Sequence, residues 1–278
     1  MGEIMGELFV SQIGIRPFKG GRTVKIPPND TLKCMLVHAS GPYLDHRWMA
    51  VDQAGKSFSQ VKYPKLATIQ PIMEREILKL FAPGIPPIEI SRAIDEHALE
   101  DVFMEKELCK GIDQGDEIAE WMSQLLGSPA RVVRIPRGGR LRDSSTLGRQ
   151  IKVNFTWYPF HMVTEASLTA INSHLSDPVP MDRLRPTLVI ANAEPYEEDS
   201  WRVLQIGNTF FDYVKKTDRC GVVNVDEETG TKDDGRLLTA LGEHRRVGNK
   251  VFLGSNFVHH GTGTICVGDT VKVLEADR

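Results

Sequence analysis

Cys220 follows the run Lys215-Lys216-Thr217-Asp218-Arg219. Two lysines and an arginine beside a thiol favour its thiolate. A thiolate is both a nucleophile and a soft metal ligand, so this cysteine could attack, carry sulfur or bind a soft metal. The residue types leave a second reading open, in which Cys220 faces the core and is inert. Five arginines, Arg131, Arg134, Arg137, Arg140 and Arg142, surround Pro136-Arg137-Gly138-Gly139. They read either as a solvated strand followed by a flexible loop, or as a mobile basic loop at the mouth of a site for an anion. The run Glu197-Glu198-Asp199 offers acid/base chemistry, a solvated loop, or a carboxylate that pins nearby backbone. His259 and His260 are neighbours on an expected strand and point to opposite faces, so they do not share an ion. Gly261-Thr262-Gly263 does not complete a dinucleotide fingerprint and reads as a hairpin turn. Neither GxSxG nor HExxH occurs.

The elements that must position these residues are mainly β with some helix. In the first hundred residues, Leu8–Ile15, Leu32–His38, Arg47–Asp52 and Ala67–Ile72 read as short strands between Gly and Pro. Ile69 to Ile90 holds four prolines and reads as irregular connection and edge strand. Asp113 to Leu126 reads as a helix, with Ile118, Trp121, Met122 and Leu125 on one face and Gly127 after its end. A domain boundary falls near residue 130. Glu165 to Leu175 reads as a second helix, with Thr164 as its N-cap. Leu188–Ala191, Trp201–Ile206, Thr209–Val214 and Gly221–Val225 read as strands, and Leu237 to His244 as a short helix. Ile265–Val267 and Thr270–Leu274 read as strands joined by a Gly268-Asp269 hairpin turn.

At 278 residues the chain can bury a large core without cross-links, and two domains are expected. A net charge of −3 gives no general attraction for nucleic acid. Cys34, Cys109, Cys220 and Cys266 are scattered, so neither a disulfide scaffold nor a zinc ribbon is read, and all but Cys220 are taken as ordinary small apolar residues. The start, MGEIMGELFV, is acidic where a signal peptide needs basic residues, and no apolar run approaches the ~18 residues of a membrane span, so a cytoplasmic location is expected. Asn154-Phe155-Thr156 forms an N-glycosylation sequon, expected to go unused.

Several short motifs occur in one order: Met181-Asp182-Arg183-Leu184-Arg185-Pro186-Thr187, Glu198-Asp199-Ser200-Trp201, Ile206-Gly207, Arg219-Cys220, Val225-Asp226 with Thr229-Gly230, and Gly263-Thr264-Ile265 with Val267-Gly268-Asp269. Earlier lie Ile15-Arg16-Pro17-Phe18-Lys19-Gly20 and the segment GPYLDHRWMAVD from Gly41 to Asp52. Together these resemble the MOSC family, named after the C-terminal domain of molybdenum-cofactor sulfurase, and its amidoxime-reducing members. The resemblance implies an N-terminal β-barrel-like domain over residues 1–130 and a MOSC β-barrel domain over 131–278, with a molybdopterin cofactor between them. It implies that Cys220 ligates molybdenum and that Lys19, Gly20, Arg47, Arg185, Thr187, Asp218, Arg219 and Asn256 hold the pterin and its phosphate. The implied activity is an oxidoreductase that reduces an N–OH group of a small molecule to N–H. Electrons come from a separate partner, a flavin reductase with a ferredoxin or a b-type cytochrome.

The chain departs from the family pattern within the cofactor cradle. Gly20 replaces a serine and His46 an arginine, with Arg47 one place on and turned to the other face of a strand. Val61 stands for a further arginine, Thr187 for an asparagine, Thr217 for a cysteine, and Thr156 for an aspartate. Two other functions therefore stand beside the reductase. One is a sulfur carrier with a persulfide on Cys220. The other is a MOSC-fold enzyme of a specialised pathway that no longer binds molybdenum.

Overall fold

The computed structural model describes residues 6–26, 34–74, 76–91 and 99–277. Its largest sheet runs in the order Val24–Ile26, Phe9–Ile15, Leu188–Ala191, Phe160–Thr164, Lys250–His260, Thr209–Asp218, Trp201–Ile206 and Val271–Ala276. Arg246–Val247 pairs alongside Lys250–His260. Neighbours are antiparallel except Phe160–Thr164 and Leu188–Ala191, which run parallel. A parallel pair needs a crossover, and a helix, Glu165–Asn172, lies within it. Thr164 caps that helix, its hydroxyl accepting from the Ser167 N–H. Alternate residues of Phe160–Thr164 serve different surroundings. Phe160 and Met162 face a core with Ile13, Leu188, Leu204 and Phe211, while Val163 joins Ile171, Leu184 and Leu253 on the other side.

The sheet ends curl toward each other. Phe9 bridges Thr270, and the N–H groups of Val10 and Val271 donate to the carbonyls of Asp269 and Leu8. One bridge stands where a full ladder would close the sheet, so the expected barrel remains open at this seam. The first half builds a four-stranded sheet, ordered Trp48–Val51, Arg131–Arg134, Glu107–Asp113 and Leu99–Met104. Against it packs the helix Asp116–Leu126, which buries Ile118, Trp121, Met122 and Leu125. Strand pairing crosses residue 130 in both directions. Phe9–Ile15 pairs with Leu188–Ala191, and Arg131–Arg134 pairs with Trp48–Val51.

Several local expectations change. Ile69 to Ile90 is a regular meander of Gln70–Met73, Ile77–Ala82 and Ile85–Ser91 rather than irregular chain. Its prolines sit on the two edge strands or in the turn, where no ladder N–H is needed, and proline-free Ile77–Ala82 takes the centre. The start of the expected strand at 67 is a 3₁₀ turn, Pro64–Thr68. Gly221–Asn224 is also a 3₁₀ turn rather than a strand. Of the strand expected over Leu32–His38, residues 34–38 are a strand and the first two lie outside the described residues.

The turn at Gly268-Asp269 joins no hairpin: Gly263–Cys266 pairs with Cys34–His38, and Val271–Ala276 pairs with Trp201–Ile206. Gly261-Thr262 likewise links strands that do not pair with each other. The reading of Cys34 and Cys266 as ordinary apolar residues is overturned, because they form a disulfide. They are directly opposite on paired strands, 232 residues apart in sequence, a proximity that spacing alone does not reveal.

The acidic run resolves into a pin. Glu198 is fully buried and accepts hydrogen bonds from the hydroxyls of Ser167 and Thr164, at 2.8 and 3.2 Å. Burial pushes its carboxyl from 4.5 up to about 7, against those hydrogen bonds. The folded protein keeps this proton where the unfolded chain has lost it, so the contribution to stability is present at low pH and declines as pH rises from 4.5 through 7. Glu198→Gln keeps the size and removes the titration. From about pH 4 to about pH 8, wild type is expected to lose about 3 kcal/mol of unfolding free energy relative to Glu198→Gln. Denaturant titrations that give the same difference at both ends would refute this.

Candidate functional site

A cleft of about 570 Å³ lies where the two halves of the chain meet. One wall comes from the row Thr187, His161, Asn256 and Lys215, which stand opposite one another across the large sheet. Thr187 donates its N–H to the His161 carbonyl at 2.7 Å, and its hydroxyl oxygen accepts from the His161 N–H at 3.3 Å. Thr209–Asp218 carries two register shifts, between Tyr213 and Lys215 and between Lys216 and Asp218. Such bulges twist a strand and re-aim its side chains, here toward the cleft. Cys220 follows on extended backbone, with an exposed thiol. The facing wall comes from Arg16, Asp45 and His46 and from Arg142, Trp157 and Tyr158. The Arg142 guanidinium lies 4.8 Å from the Trp157 ring centre and 5.0 Å from that of Tyr158.

At this cleft gather Arg16, which is buried, and Lys19, Arg185 and Arg219, which are half-buried. Burial pushes the Arg16 guanidinium down to about 10, and Arg185 adds to this. Burial also pushes Arg219 down to about 10; the Cys220 sulfur opposes the shift and Arg185 adds to it. Lys19 is lowered by burial too, with Glu105 opposing. Arg185 adopts left-handed backbone (φ 54°), pairs with the Glu227 carboxylate and donates to the Gly21 carbonyl at 2.8 Å. Arg219 donates to the Leu184 carbonyl at 2.7 Å and contacts His161 Nε2 at 3.3 Å. The Nε atoms of Arg16 and Arg219 are buried without a hydrogen-bond partner among the described residues. Like charges gathered together with buried donors left over suit an anionic group.

Of the residues proposed from sequence, Arg185, Thr187, Asp218, Cys220 and Asn256 line the cleft. Arg219 lies beneath it against His161, and Lys19 is half-buried behind it. Gly20 turns the chain there with φ 84°, a conformation that favours glycine over the family's serine. Arg47 goes elsewhere: it donates to the Ile135 carbonyl at 3.1 Å and lines a separate cavity with Arg134 and Arg137. Two of the three cations around Cys220 are paired, Lys215 with Asp218 and Lys216 with Asp199. Lys250 also pairs with Asp218. Burial would raise the Asp218 carboxyl, but hydrogen bonds from Lys215 and Lys250 outweigh it and hold the group below its ordinary value.

The arginine run divides among three environments. Arg131 pairs with Asp113 and Asp116, Arg140 and Arg142 pair with Glu107, and Arg134 and Arg137 line the other cavity. Arg16, Asp45, His46, Glu105 and His161 line the cleft without having been singled out by spacing. Asp45 and His46 lie inside the Gly41–Asp52 motif, but only backbone turns aim them. Val61 packs near Gly221, where a Cβ would lie 3.4 Å from its methyl carbon. The arginine it replaces would therefore stand close to Cys220.

Residues 8–129 match the MOSC N-terminal beta barrel domain and residues 154–272 match the MOSC domain. The chain is 30% identical to the mitochondrial amidoxime-reducing component 1 of Homo sapiens, across 95% of this chain and 82% of that protein. The chain belongs to the MOSC family. It is also 29% identical to the mitochondrial amidoxime reducing component 2 of Rattus norvegicus, across 94% of this chain and 82% of that protein. A molybdenum cofactor sulfurase of Oryza sativa subsp. japonica is 27% identical over 81% of this chain, which corresponds to 30% of the sulfurase. Among the described residues of this MOSC protein, no helix is long and apolar enough to cross a membrane.

Gly254 has φ 78° in mid-strand, and a Cβ there would lie 2.5 Å from His161 Nε2 and 2.8 Å from the Met162 carbonyl. Gly254→Ala is therefore expected to displace the imidazole and cost roughly 2–4 kcal/mol in thermal unfolding. An unchanged melting temperature would contradict that packing.

Proposed function

We propose that this protein is a molybdenum-cofactor-dependent reductase of N-hydroxylated compounds. The observation that carries the reading is an exposed thiol on a cleft beside Arg16 and Arg219, whose buried Nε donors have no hydrogen-bond partner among the described residues. Its similarity to amidoxime reducing components along most of their length supports the same reading. Cys220 would be the one protein ligand to molybdenum, with the rest of the coordination supplied by the cofactor itself. Arg185, Arg219 and Lys19 would meet the phosphate, with Gly20, Thr187, Asp218 and Asn256 around the pterin. Arg47, which faces the other cavity, falls outside this set.

When bound, the cofactor would supply the two-electron redox change. The chain's own part is to hold its charge, shape the cleft and present substrate. The guanidiniums of Arg16, Arg185 and Arg219 are held by carbonyl acceptors, so little reorganisation would accompany binding of an anion. The Trp157 and Tyr158 rings with Arg142 offer a flat, polarisable wall for a small planar substrate. Electrons would come from a separate redox partner, a flavin reductase with a ferredoxin or b-type cytochrome.

The similarity to sulfurases and the exposed thiol support a second reading, a persulfide carrier at Cys220. Metal and pterin analysis of protein from a cofactor-competent host separates the two. The reductase should contain near-stoichiometric molybdenum and pterin, and with a chemical reductant should convert an aromatic amidoxime to the amidine. Cys220→Ser should reduce that activity to background. Absence of molybdenum overturns the reading. Sulfur released by cyanide from wild type but not from Cys220→Ala favours the carrier.

A further inference from the structure

We propose that His46, held by Asp45, donates the proton to the oxygen that leaves when the substrate's N–O bond breaks in this cleft. The inference rests on the reductase reading above.

The backbone here is unusual. Leu44 and His46 both have positive φ, 66° and 49°, without being glycine. Such strain persists where the surroundings over-determine it, and it clusters at functional sites. Two segments clamp this turn. The His46 N–H donates to the Arg16 carbonyl at 2.7 Å, and its carbonyl accepts from the Phe155 N–H at 3.0 Å. The Asp45 carbonyl accepts from the buried Asn154 side chain at 2.7 Å. Both Asp45 carboxylate oxygens are engaged: Oδ1 accepts from the Arg16 N–H at 2.6 Å, and Oδ2 contacts His46 Nδ1 at 2.6 Å. A carboxylate only accepts, so Nδ1 carries hydrogen and Nε2 is the ring's available nitrogen. Nε2 has no hydrogen-bond partner among the described residues, and the ring lines the cleft that Cys220 shares.

The other imidazole of the cleft is unsuited to this task. His161 uses both nitrogens, donating from Nδ1 to the Arg185 carbonyl and accepting from Arg219 at Nε2, each at 3.3 Å. Burial and Arg219 hold it neutral, well below the ordinary 6.5. The arginines of the cleft cannot release a proton near neutral pH. An imidazole can. This chain has its imidazole where the family resemblance puts an arginine.

The balance is simple. An amidoxime C=N–OH takes two electrons and two protons and becomes C=N–H plus water. As the N–O bond breaks, the departing oxygen takes the proton from His46 Nε2 and leaves as water. The nitrogen takes its proton from solvent, which also reprotonates His46. Both electrons come from the separate redox partner through the bound cofactor. Asp45 acts as a positioning residue that fixes the tautomer and stabilises the charged ring. The charged groups facing His46 are Asp45, Arg16 and Lys19, with Glu105 and Arg142 elsewhere on the cleft wall. Burial lowers its titration below 6.5, Asp45 opposes this, and Lys19 and Arg16 add to it. Turnover should therefore rise as pH falls through a value below 6.5.

His46→Asn is the informative variant, because asparagine tolerates positive φ and its amide can still donate to Asp45. It should keep wild-type molybdenum and pterin content, lower kcat by about 10²–10⁴-fold with little change in KM, and lose the acid-side inflection. NMR titration of the imidazole should place the His46 pKa of wild type at that inflection, and Asp45→Asn should move both downward together. A His46→Asn enzyme within about threefold of wild-type kcat overturns the proposal, given the size of general-acid effects. Loss of pterin from His46→Asn, which would make His46 part of the cradle, also overturns it, as does an imidazole pKa unrelated to the inflection. Loaded wild type that does not reduce N–OH overturns the reductase reading and this inference together; active wild type with an equally active His46→Asn overturns this inference alone.

Discussion

Arg16 is buried and Arg185 and Arg219 are half-buried close by, and Arg185 lowers the affinity of the other two for their protons. Such an arrangement survives folding only because fixed acceptors surround it. The carbonyls of Pro186, Gly21 and Leu184 and the Glu227 carboxylate take the guanidinium hydrogens. Those acceptors come from different parts of the chain, so the cluster ties the start of the chain to the MOSC half. Arg16 reaches across 170 residues to Pro186, and Arg185 across 164 to Gly21. The Nε donors of Arg16 and Arg219 stay without a hydrogen-bond partner among the described residues, which costs free energy when they are buried.

The same constraint explains the local backbone. Arg185 stands in left-handed conformation at the end of the 3₁₀ turn Met181–Leu184, which aims its guanidinium back at Glu227. Glu227 itself is tied through its carboxylate to the Thr23 N–H and through its carbonyl to Arg22. The cation cluster, the start of the chain and the loop after Cys220 are thus one hydrogen-bonded unit. Removing any one cation would leave Glu227 or a buried carbonyl unpaired, so these residues couple energetically.

The strand–helix pattern of the second half was largely legible. Leu188–Ala191 and Trp201–Ile206 have the same limits in sequence and structure, and Thr164 caps its helix as the motif requires. These features depend on side-chain period and capping chemistry, which are local. The meander over residues 70–91 was not legible, because four prolines mimic irregular chain unless the edge positions of their strands are known. The Gly268-Asp269 turn has hairpin residues yet sends its flanking strands to separate sheets, a choice made by distant partners. The Cys34–Cys266 disulfide was invisible for the same reason.

By itself the sequence determined the family and the mainly β character, because motif order and alternation are properties of the chain. Tertiary structure decided which charges share a site. It sent Arg47 to a different cavity and brought Arg16, Asp45 and His46 to face the row from Thr187 to Lys215. The physical reason lies in side-chain direction, which two bulges and a pair of positive-φ residues reset at the cleft, and which residue type and spacing do not encode.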